Sequence, residues 1–125
     1  MEVVNFGADD MGNVMAKLGD DKINDLAFGA IKIDDKGMIL SYNQAEGEIT
    51  GRNPDEVIGK SFFREVAPCT NQPEFYGRFE KGLKDGSLNT LFEYVFDYNM
   101  KPTKVKVHMM KAQVGEGYYI FVKRI

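Results

Sequence analysis

The chain lacks tryptophan altogether and has one cysteine and one histidine among its 125 residues. A lone cysteine excludes an internal disulfide. With Cys69 and His108 as the sole thiol and imidazole, a structural zinc site is short of its usual ligands, and no metal is expected. No apolar run approaches the roughly 20 residues that cross a bilayer. Residues 1–10 carry Glu2, Asp9 and Asp10 and no basic residue. A secretory leader and membrane association are therefore not expected, and the cytoplasm is the expected location. Sixteen lysines and arginines stand against nineteen acids, a net charge of -3. The cations are scattered, which argues against nucleic-acid binding, because phosphate contacts need clustered positive charge. Repeats and low-complexity tracts are also missing.

What is present suits one domain, residues 1–125. A chain of this length buries roughly two thirds of its unfolded surface. That allows one core and one enclosed small-molecule pocket, and a monomer is expected. Residues 1–26 are acidic and weakly helical, with Met11, Val14, Met15 and Leu18 on one face. Asp9 or Asp10 can cap that helix. Gly7, Gly12 and Gly19 each weaken it by up to roughly 1 kcal/mol relative to alanine. This N-terminal cap should pack on the core without being strongly held.

Residues 27–125 form the core domain. Residues 27–33 and 38–43 read as two strands of a hairpin around the turn signal Asp34-Asp35-Lys36-Gly37. Short helices follow. One candidate covers residues 43–50. A second starts at Asn53, with Pro54 at its first position and Glu56 at N3, and stops at Gly59. A longer helix spans residues 74–84, with Phe75, Phe79 and Leu83 on one stripe, closed by Asp85-Gly86. Phe92, Tyr94, Phe96, Tyr98 and Met100 alternate onto one face of a strand, as do Val105, Val107 and Met109 on the next. Gly115-Glu116-Gly117 then turns the chain into residues 118–125. The three strands make an antiparallel meander. The fold class is α+β, and the layout matches the PAS architecture: a five-stranded antiparallel sheet with helices over one face. That likeness fixes no function by itself.

Taken singly, the candidate residues have plain readings. Cys69 lies in Ala67-Pro68-Cys69-Thr70 and by spacing alone reads as a small buried hydrophobe. A catalytic cysteine wants a histidine base. His108 lies mid-strand among Lys104, Lys106 and Met110 and is expected to face water. Tyr42, Glu46 and Thr50 fall at steps of four, with Arg52 close behind. A capped surface helix with a weak Glu46–Arg52 ion pair would account for them. The aromatic face of residues 92–100 reads as ordinary sheet packing.

Their combination is far more specific. Tyr42-Asn43, Ala45-Glu46-Gly47, Ile49-Thr50-Gly51-Arg52 and Val57-Ile58-Gly59-Lys60 resemble the photoactive yellow protein family, a group of PAS-fold blue-light receptors. So do Val66-Ala67-Pro68-Cys69-Thr70, Pro73-Glu74-Phe75-Tyr76-Gly77, Phe92-Glu93-Tyr94 and Phe96-Asp97-Tyr98. The likeness continues through residues 104–109 and 121–124 and is weakest over residues 1–26. One departure is Tyr119, where familiar members have tryptophan; it is not expected to touch the pocket.

The resemblance implies a chromophore, 4-hydroxycinnamic acid (p-coumaric acid), held as a thioester on Cys69. It implies that Tyr42 and Glu46 hydrogen-bond the phenolate, that Thr50 supports Tyr42, and that Arg52 covers the pocket. Phe62, Val66, Ala67, Thr70, Phe96, Tyr98 and Met100 would line the rest, with Met100 linked to return of the dark isomer. It further implies trans–cis photoisomerisation, proton transfer from Glu46 to the phenolate, and opening of the N-terminal cap as the signal to an unidentified downstream signalling protein. For that, Glu46 must be neutral in the dark, as burial and a nearby anion would make it. Three other readings stay open. A PAS module without chromophore would carry no adduct on Cys69. A flavin photosensor resembles an Asn-Cys-Arg-Phe-Leu-Gln pattern, whereas Cys69 is flanked by Pro68 and Thr70. A cysteine hydrolase would turn over an acyl substrate.

Overall fold

The computed structural model describes residues 26, 28–97, 100–112 and 117–125. The expected N-terminal helix therefore lies outside the described residues, as do Tyr98 and the turn residues 115 and 116. Strand β1 (Gly29–Ile33) and strand β2 (Ile39–Tyr42) form the expected hairpin. Asp34 builds its turn: Oδ1 accepts from the N–H groups of Lys36 and Met38, both at 2.9 Å. Gly37 takes the left-handed conformation there, at φ 83°.

Strands β3 (Asn89–Phe96), β4 (Thr103–Lys111) and β5 (Tyr118–Arg124) form the meander. All five strands join one sheet in the order β2-β1-β5-β4-β3, and every pairing is antiparallel. The last strand thus fills the centre beside the first. This is the PAS fold.

Between the hairpin and the meander lie helix α1 (Gln44–Thr50), helix α2 (Pro54–Val57), a π-helical turn (Phe62–Val66), a 3-10 turn (Pro68–Thr70) and helix α3 (Tyr76–Asp85). Their caps follow the sequence signals. Asn53 caps α2 and Ser61 caps the π turn through their side chains, and Gly86 ends α3 at φ 69°.

The sheet's period of two sorts its side chains into two clusters. Ile31, Ile33, Val105, Val107, Met109, Ile120 and Val122 join Phe62, Phe63, Phe75, Phe79 and Phe96 in the main core. Phe28, Ala30, Met110, Tyr119 and Phe121 form a second cluster. They lie on the opposite face, since Ala30 pairs with Phe121 and Met110 with Tyr119.

Three expectations need correction. The long helix starts at Tyr76, not residue 74, because the Phe75 N–H bonds the Gln72 carbonyl at 3.0 Å in a turn that precedes it. Strand β3 stops at Phe96, its last pair being Phe96 with Thr103; Pro102, which has no N–H to donate, sits next along the partner strand. Met100 falls in a bend beyond the strand. His108 does not face water. It is 6% exposed, packed edge-on to Phe121, with Nε2 2.7 Å from Asn89 Oδ1. The exposed alternation of Lys104 and Lys106 ends there, because both faces of β4 are covered from Val107 to Met110.

Candidate functional site

The Asn43 side chain ties helix α1 to the sheet, beside the bond of its own N–H to the Ala30 carbonyl. Asn43 Oδ1 accepts from the N–H of Glu46 at 3.0 Å and from that of Ala30 at 2.9 Å. Its Nδ2 donates to the Phe28 carbonyl at 3.0 Å. Asn43 therefore caps the helix and ties it to the start of β1 in one step. Glu46, in the first turn, is aimed at β1 and is 0% exposed. Gly29 makes the space: a Cβ there would overlap Glu46 Oε1. Gly47 plays a similar part, since a Cβ would crowd the Arg52 carbonyl and Pro54.

Neither carboxyl oxygen of Glu46 has a hydrogen-bond partner. Burial alone drives its pKa well above the ordinary 4.5. Burial thus favours the protonated carboxylic acid, the form that can donate. Such a group, left unpaired in a dry interior, is costly for folding alone.

Tyr42 ends β2 and is buried. Its Oη lies 2.7 Å from Thr50 Oγ1, while the Thr50 hydroxyl donates to the Glu46 carbonyl at 3.0 Å. The threonine proton being so used, Tyr42 is the donor of the shorter bond. Burial, with the nearby Glu46 next, raises the Tyr42 pKa above the ordinary 10.0; the Thr50 bond and Arg52 oppose the shift. Tyr42 thus also keeps its proton.

Cys69 sits in the 3-10 turn, half-buried. Thr70 Oγ1 closes that turn on the Ala67 carbonyl at 2.6 Å. Tyr94, 25 residues on, donates from Oη to the Cys69 carbonyl at 2.5 Å. Arg52 Nη2 donates to the Val66 carbonyl at 2.9 Å, which ties the end of α1 to the segment before Cys69. Thr50, Arg52, Val66, Ala67, Cys69, Phe96 and Met100 together line a small cavity of about 10 Å³.

The structure thus gathers seven of the expected residues on one cavity and attaches Tyr42 and Glu46 to it through Thr50. Phe62 and Thr70 are buried beside them but line no wall of that cavity. Tyr98 lies outside the described residues. A surface Glu46–Arg52 helix face is excluded by the burial of Glu46. Sequence reading missed Asn43, Gly29, Gly47 and Tyr94. Asn43 was legible as a helix cap, but its bonds to residues 28 and 30 join distant parts of the chain. Gly29 carries no local signal, since a strand glycine has many uses.

Among the described residues there is no group of three or more His, Cys, Asp or Glu placed to hold a metal ion, and no helix long and apolar enough to cross a membrane.

Comparison with known proteins identifies the family. The family model for the PAS fold matches residues 20–124. Photoactive yellow protein of Rhodothalassium salexigens is 61% identical over 125 residues, all of each chain. That of Halochromatium salexigens is 59% identical over the same length. Among solved structures, the photoactive yellow protein domain of the sensor histidine kinase Ppr from Rhodospirillum centenum superimposes with a TM-score of 0.83 at 42% identity, covering 90% of this chain and 99% of that one. The chain belongs to the photoactive yellow protein family, photoreceptors and not enzymes, built on the PAS fold.

Proposed function

We propose that this chain is a blue-light receptor carrying 4-hydroxycinnamic acid as a thioester on Cys69. The observation that carries the proposal is Glu46: a fully buried acid with both oxygens unpartnered, whose burial favours the protonated form. Thr50, bonded to Tyr42 and to the Glu46 carbonyl, lines the same cavity as Cys69. A phenolate needs donors at one end and a covalent anchor at the other, and this residue set supplies both. Attachment joins Cys69 Sγ to the carbonyl carbon of an activated hydroxycinnamoyl donor, and the thiol proton departs with the donor's leaving group.

When bound, the group supplies visible-light absorption and a double bond that isomerises from trans to cis. Tyr42 and Glu46 donate to its ring oxygen in the dark, and hydrogen bonds to an anion are roughly twice as strong as neutral ones. As Tyr42 turns its proton to the ring, Thr50 Oγ1 is placed to donate to Tyr42 in exchange. Arg52 covers the polar end. Phe62, Val66, Ala67, Thr70, Phe96, Tyr98 and Met100 enclose the remainder, and Met100 promotes return to the dark isomer. After light, Glu46 yields its proton towards the ring oxygen and is left as a buried, unpaired carboxylate. A charge stranded in that way costs roughly 3–5 kcal/mol, a large share of the roughly 5–15 kcal/mol that holds a domain together. The weakest segment opens first. In this chain that is the cap of residues 1–26, whose helical pattern is broken by Gly7, Gly12 and Gly19. The signal passes from a cytoplasmic monomer, one PAS domain with its cap, to a downstream signalling protein.

The test is to react the chain with activated p-coumaric acid and record its mass, its visible spectrum and its light-minus-dark infrared spectrum. The expected result is one adduct on Cys69, a visible band that blue light bleaches, and loss of a protonated-carboxyl band that is absent in Glu46→Gln. Cys69→Ala should fold and stay colourless. A coloured Cys69→Ala protein, or an acid already ionised in the dark, refutes the proposal.

A further inference from the structure

Tyr94 stands outside the roles assigned above, yet it touches the attachment residue directly. The 3-10 turn uses its own carbonyls in an orderly way. Thr70 N–H and Thr70 Oγ1 both bond to the Ala67 carbonyl, and Asn71 N–H bonds to the Pro68 carbonyl. The Cys69 carbonyl instead receives the hydroxyl of Tyr94 from β3. The ring behind that hydroxyl meets three others. Phe75 meets it edge-on with centroids 5.2 Å apart, and Phe92 and Phe96, the latter a wall of the cavity, each meet it at 6.4 Å. Phe75 is fully buried and also packs on Phe62, Phe63 and Phe92, so the ring has a rigid backing.

We propose that Tyr94 is the positioning residue of the pigment link: its hydroxyl fixes the Cys69 backbone to strand β3, so that the sulfur keeps one direction while the rest of the attached group turns. Any rotation about Cα–Cβ or Cβ–Sγ of Cys69 is measured from a peptide plane, and this bond immobilises that plane. A held link forces the strain of isomerisation towards the ring end, where Tyr42 and Glu46 act. A released link lets the backbone follow the turned group and stabilises the lit form. The inference rests on the reading of Cys69 as the attachment site.

The single cysteine makes the test clean. Cysteine labelled with ¹³C at its carbonyl marks one peptide group in the whole chain. In the unloaded protein, Tyr94→Phe should move that band to higher wavenumber, because the carbonyl loses its donor. Phe121→Leu, which loosens the cluster on the opposite face of the sheet and leaves the surroundings of Tyr94 alone, should not move it. In the loaded protein, the labelled band should appear in the light-minus-dark spectrum of the wild type. Tyr94→Phe should still load to the full adduct mass but return to the dark state about fivefold more slowly, the rate equivalent of one net hydrogen bond. An unmoved ¹³C band in Tyr94→Phe overturns the contact, and a moved band with an unchanged return rate overturns the positioning role. If the wild type takes up no pigment, the attachment reading fails and the positioning role fails with it, while the ¹³C band of the unloaded chain still decides the contact.

Discussion

Replacing Glu46 by glutamine should change how stability depends on pH, before any light is involved. Unfolded, Glu46 loses its proton near its ordinary value of 4.5; folded, burial keeps the proton on well above that. The folded state therefore binds one proton more than the unfolded state throughout that window. Linkage makes the wild type less stable as pH rises through it, by about 1.4 kcal/mol per pH unit. Glutamine has nearly the same shape and no proton to lose. Its stability relative to the wild type should then climb between pH 5.5 and 7.5. Groups common to both proteins, such as His108, cancel in the difference. Urea unfolding of the unloaded chain at several pH values measures it. Parallel curves for the two proteins across that range would refute the claim that this buried acid is neutral, and with it the proton source for signalling.

Gly29→Ala should destabilise the fold by roughly 1–3 kcal/mol in denaturant melts, because the new methyl overlaps the Glu46 carboxyl. In the same background Glu46→Ala should recover most of that loss, and an additive double mutant would contradict the contact. Asn43→Ala removes two acceptor bonds and one donor bond and leaves buried backbone groups unpaired, for a loss of roughly 2–4 kcal/mol; a loss under 1 kcal/mol would show that α1 is held by something else. Burial lowers the His108 pKa below the ordinary 6.5, so its share of stability is intact above that pH and is lost as pH falls below it. His108→Gln should flatten the acid-side slope in urea melts, and an unchanged slope would assign it to another group.

The strands, the hairpin turn and the helix caps were legible because each depends on residues close in sequence. Asp34 and Gly37 make a turn wherever they occur together, and alternating aromatics declare a strand whatever lies across from it. The segments around Cys69, Tyr42, Glu46 and Arg52 likewise carried the family. Local pattern misjudged what long-range packing decides. His108 follows two exposed lysines at strand spacing, and pattern put it in water. Covering of the second sheet face put it in the interior. Glu46 sits on a helix face that periodicity reads as solvated, and its burial depends on Gly29, seventeen positions earlier, having no side chain. The tie from Tyr94 to the Cys69 carbonyl has no sequence signature, since nothing local distinguishes it from its aromatic neighbours on β3. The sequence by itself determined which elements form and to which family the chain belongs. Only the tertiary structure decided how hard Glu46 is to ionise, because ionisation depends on how much water and how many partners a group has, and both are set by chain segments far away in sequence.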